Sequence, residues 1–85
     1  MTGAQVRTAR QLLGMTRLEL ASRCGLHDET IRIYENTNRM PKPMFQRTNP
    51  EDRIANVRAA LEAAGIEFIE QDGGGLGVRL RKSAA

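Results

Sequence analysis

The side chains able to do chemistry are few in this chain of 85 residues, which holds one cysteine, Cys24, and one histidine, His27. Their Cys-x-x-His spacing suits two ligands of a zinc ion, but a structural zinc site takes about four. The chain offers no second Cys or His, so no metal is expected. His27 has no serine or cysteine nucleophile at a recognisable spacing, and nucleophilic catalysis therefore lacks its pair. Gly73–Gly75 has the composition of a phosphate loop without its context. It stands between two predicted strands, with no helix N-terminus after it to hold an anion. Neither an enzyme nor a cofactor is expected.

What remains is charge, and it is uneven. The formal net charge is +3; residues 1–48 hold eight Lys/Arg against four Asp/Glu, and residues 49–85 hold five against six. A basic first half suits a polyanion. With no Trp, one Tyr and two Phe, aliphatic residues must build the core of one small domain, which favours a surface binder over a deep cavity. A single cysteine cannot form an internal disulfide, so a reducing cytoplasm is expected. The stretch "MTGAQVRTAR" has no apolar signal core, and no apolar run approaches membrane-spanning length.

The charged positions need elements to place them. A first helix is expected over about Gly3 to Leu13, with Val6, Ala9, Leu12 and Leu13 on one face, Thr2 capping its start and Gly14 suiting its end. Thr16 and Glu19 have capping-box spacing for a second helix. Its inward residues are Leu20, Ala21 and Cys24, Leu18 is partly covered, and Gly25 stops it. A third helix is expected over 28–35, burying Ile31 and Tyr34. Residues 36–50, with three prolines, read as an extended connector holding a short turn around Met44–Arg47. Asn49 and Pro50 open a fourth helix on the stripe Ile54, Val57, Leu61 and Ala64, which ends at Gly65. Alternation around Ile66 and Phe68, then Val78 and Leu80, with "DGGGLG" between them, predicts a β-hairpin with acids facing arginines. Two strands alone are marginal in water. Helix four or the ribbon of a second chain must support them, so Ile66, Phe68, Val78 and Leu80 are candidate dimerisation residues. The halves are 1–48 and 49–85, within one compact domain.

Two helices crossing at a tight turn need a small residue at the crossing and a residue tolerant of positive φ in the turn. Ala21, Gly25, Leu26, Ile31 and Tyr34 meet that demand. The stretch "LLGMTRLELASRCGLHDETIRIYEN" resembles the helix-turn-helix of the phage repressor/Cro-like (XRE-like) family of small bacterial transcriptional regulators. "LEAAGIEFIEQDGGGLGVRLRK" resembles the tail of a subset whose ribbon follows the last helix. The middle, residues 37–49, departs from the pattern. The resemblance implies a mainly α, lambda-repressor-like helix-turn-helix of about four helices followed by a C-terminal β-hairpin. Implied partners are double-stranded operator DNA and a second copy of the chain, and the implied location is the cytoplasm at the nucleoid. It also implies that Arg10 and Glu35 pair as scaffolding.

DNA-facing positions carry over one by one. Arg17 opens the second helix, where the family usually has glutamine. His27 takes the position that caps the third, and Asp28 and Glu29 stand where relatives point into the major groove. Thr30 corresponds to a backbone-contacting position, Arg32 lies outward, and Ile33 replaces what is often a polar reader. Arg39 and Lys42, with Arg47, add cations from the connector. Three readings of the acids stay open. They stabilise the helix start, they accept from cytosine N4, or the surface has left DNA for a basic protein partner. The expected function is a sequence-specific DNA-binding regulator, a repressor, with helix 28–35 in the major groove of a homodimer's operator. The alternative is a protein-binding regulator, anti-activator or antitoxin-like, on the same scaffold.

Overall fold

The computed structural model describes residues 1–41, 49–70 and 76–81, with backbone alone at 70 and 76. The connector turn, Lys42, Arg47 and Gly73–Gly75 lie outside the described residues. The chain is mainly helical: α1 (Gly3–Leu13), α2 (Arg17–Cys24), α3 (Asp28–Thr37) and α4 (Pro50–Ala63) precede the strands β1 (Ile66–Glu70) and β2 (Leu76–Leu80). The fold is the one the sequence predicts.

Local chemistry sets most boundaries. Thr2 accepts from Gln5 N while the Gln5 side chain accepts from Thr2 N, a capping box that closes the start of α1. Thr16 and Glu19 do the same for α2. Gly14 and Gly25 end these helices at φ 64 and 70, a left-handed turn that residues with a Cβ resist. The third helix runs two residues past the predicted Glu35. Asn38, at φ 59, supplies the left-handed stop there and its N–H donates to Tyr34 O, as asparagine can do locally. Asn49 accepts from Asp52 N ahead of Pro50.

The core gathers Val6 and Ala9 of α1, Leu20 and Ala21 of α2, Ile31 and Tyr34 of α3, Val57 and Leu61 of α4, and Ile66 of β1, with Met15 and Met40 sealing it. At Gly3 a Cβ would stand 2.1 Å from Tyr34 O, so glycine is what lets α1 begin against the end of α3. Two apolar expectations are corrected. Leu12 is 45% exposed and Leu18 65% exposed. Leu18 projects almost opposite Leu20 on α2, whereas Leu12 lies at the margin of the arc centred on Val6 and Leu13. Cys24, expected inside the helix crossing, is only half-buried, its Sγ 3.9 Å from Asn56 O on α4.

The hairpin pairs Ile66 with Leu80, Glu67 with Arg79 and Phe68 with Val78 in antiparallel register, and Arg79 grips Glu67 across the strands at 3.0–3.1 Å. Its support comes from the same chain. Gln5 Nε2 of α1 donates to Gly77 O at 3.2 Å, and the Arg58 guanidinium of α4 lies 5.3 Å over the Phe68 ring. Ile66 is fully buried and Phe68 and Val78 pack on the core. Of the four candidate dimerisation residues only Leu80, 49% exposed, is broadly open to a partner.

Candidate nucleic-acid interface

The α2–α3 corner is built from backbone upward. Gly25 turns the chain, Leu26 N donates to Ala21 O at 2.9 Å, and Ala21, buried at the crossing, leaves room for α3. Ile31 and Tyr34 then seat α3 on the core from behind. Its opposite side, carrying Glu29 and Arg32, is exposed.

A brace holds the angle of α3 on α1. Arg10 Nε donates to Glu35 Oε2 at 2.6 Å and Nη2 to Oε1 at 2.9 Å, while Nη1 donates to Met15 O at 3.1 Å. The Glu35 side chain is 2% exposed, so this is a desolvated, bidentate pair. Sequence reasoning missed two supports: Arg7 Nε stands 3.7 Å from Glu35 Oε1, and Arg7 Nη2 donates to Asn36 Oδ1. Their spacing is legible in retrospect, because Arg7 lies one helical turn before Arg10 and Asn36 directly follows Glu35.

The outward residues divide differently from expectation. His27 takes the N-cap backbone position of α3 but makes no side-chain cap bond; the ring lacks the short acceptor arm that Ser, Thr, Asp or Asn provides. Asp28 is exposed and makes no side-chain hydrogen bond among the described residues. Glu29 is clasped by Arg32 of the same helix, whose Nε donates to Oε2 at 2.9 Å and whose Nη2 donates to Oε1. Those hydrogen bonds, then the charges of Arg32 and Arg17, hold the Glu29 carboxyl below the usual range. Thr30 is half-buried beside them, and Arg39 is exposed beyond the end of α3.

Other parts of the surface offer less chemistry. A shallow groove of about 320 Å³ runs between α1 and β2, lined by Thr2, Ala4, Gln5, Thr8, Gly77 and Val78, none of which titrates. Burial pushes the Cys24 thiol up to about 11, which keeps it protonated at neutral pH. Among the described residues, no group of three or more His, Cys, Asp or Glu is placed to hold a metal ion, and no helix is long and apolar enough to cross a membrane. No protein-family model and no curated protein sequence matches the chain.

Proposed function

We propose that this protein is a sequence-specific DNA-binding transcriptional regulator, a repressor of the XRE-like kind, that lays α3 in the major groove and sets α2 across the backbone. One observation carries the reading. A braced helix is held from behind by Ile31, Tyr34 and Glu35, yet its outer side, with Asp28, Glu29 and Arg32, is exposed. A helix that enters a groove needs both properties. Arg17 then meets phosphate or a base edge with its planar fork, and Arg39 adds positive charge along the backbone. One such helix covers few base pairs, so two copies on half-sites about one helical turn apart complete the operator.

The test is duplex binding across a salt series. The expected result is selective binding whose affinity falls steeply with salt, with Arg17→Ala weakening all duplexes by a similar factor and lowering the salt slope by about 1. Absence of any selective duplex at low salt overturns the proposal. It would favour the protein-binding alternative, which has an observation of its own: Glu29 already occupies Arg32, and Asp28 beside it has no side-chain partner among the described residues. Light scattering addresses the paired state, where a monomer both free and on operator DNA would overturn it.

A further inference from the structure

We propose that Glu29 and Arg32 act as a unit that reads one C·G base pair, Glu29 accepting from the cytosine amino group while Arg32 donates to the guanine paired with it. The inference rests on the docking of α3 proposed above. A lone carboxylate nearing DNA is repelled by the phosphates. Glu29 is not alone, because Arg32 donates to both of its oxygens and the two charges cancel where they stand.

The bonding leaves capacity on both partners. A carboxylate has about four acceptor positions and a guanidinium five donors. The clasp uses one N–H to each carboxylate oxygen, so each oxygen keeps an acceptor position and Arg32 keeps Nη1 whole. Both side chains lie open, at 45% exposure for Arg32 and 60% for Glu29, on the side of α3 away from Ile31 and Tyr34. The unit therefore displays an acceptor beside donors.

That pattern has a complement in the groove. A C·G pair shows the cytosine N4 donor next to the guanine O6 and N7 acceptors. An A·T pair instead places its one donor between two acceptors and adds a methyl group, so an acceptor flanked on one side by donors fits it less well. Asp28, which makes no such clasp, is left as a charge at the positive end of the helix.

The experiment is selection of duplexes from a randomised library by wild type, Glu29→Ala, Arg32→Ala and the double variant. A C·G pair at one fixed place in each half-site is expected for wild type. Each single variant should lose preference at that place by about tenfold or more while keeping preference elsewhere, and the double variant should lose no more than either single one. Preference unchanged in both single variants, or an A·T pair at the position they affect, overturns the inference and leaves DNA reading intact. A wild type that selects no sequence overturns both. Circular dichroism and thermal melting close to wild type confirm that these exposed substitutions leave the fold in place.

Discussion

Two arginines among the described residues lie largely out of water, Arg10 with 14% of its side chain exposed and Arg53 buried outright, and their surroundings differ. Arg10 on α1 spends its guanidinium on two Glu35 oxygens and the Met15 carbonyl. Arg53, in the first turns of α4, is 3% exposed, and its Nε and Nη2 find no hydrogen-bond partner among the described residues. A desolvated charge contributes to a fold only where an opposite charge and hydrogen bonds offset the loss of water. The α1–α3 corner meets that condition, whereas at the start of α4 the described residues supply no partner for Arg53 Nε or Nη2. The difference separates a half built to hold the outward helix at a defined angle from a half whose contribution is mostly apolar, through Val57, Leu61 and Ile66.

The contrast can be broken from either side. Glu35→Ala strips Arg10 of its carboxylate and leaves it the Met15 carbonyl alone, and should lower stability by about 3–5 kcal/mol, read by urea or thermal unfolding; a change below 1 kcal/mol would mean that the brace is dispensable. Arg53→Met exchanges a charge whose Nε and Nη2 have no partner among the described residues for an unbranched apolar chain of similar length. The same measurement should show a gain on the order of 1–4 kcal/mol, and a loss would show that Arg53 has a partner in solution. Smaller effects sharpen the picture of the corner. Thr16→Ala removes the box that starts α2 and should cost about 1 kcal/mol, whereas His27→Ser supplies the cap bond that α3 lacks and should raise the melting temperature by a few degrees. Cys24 adds a pH dependence at the α2–α4 contact. Its pKa is raised from 9.0 to about 11, so its contribution is complete below pH 9 and is lost as pH rises towards 11. Cys24→Ser should flatten the stability profile across that window, and an unchanged slope would assign the alkaline loss to other groups.

Most boundaries were legible because their causes are short-range. Thr2, Thr16 with Glu19, Gly14, Gly25 and Asn49–Pro50 act within four residues of themselves, and alternation at Ile66–Phe68 and Val78–Leu80 marks the two strands. Ala21–Gly25–Ile31 marks the helix crossing for the same reason. The candidate site was legible only in part. Glu29 and Arg32 were read separately, as a groove-facing acid and an outward arginine, although their i, i+3 spacing puts them in reach of each other. The brace was expected through resemblance, but Arg7 and Asn36 were not part of it.

Burial was decided by the tertiary structure. Helical periodicity places Leu12 on the apolar stripe of α1, but whether another element covers the margin of that stripe depends on how the helices and the ribbon meet. Arg53 is polar by type and buried by position, four residues before Val57 on the face that α4 turns inward. The hairpin shows the same division. Its alternation names Ile66, Phe68, Val78 and Leu80 as one apolar face, yet a face can close on its own chain or on a second one with the same pattern. Contacts with α1 and α4 close it within the chain at Ile66 and leave Leu80 open. The sequence by itself determined the elements, their caps and the order of charges along them, since those depend on neighbours a few residues away. Which charges are paired, which are stranded and which faces remain free depended on distant segments meeting, and only the tertiary structure decided that.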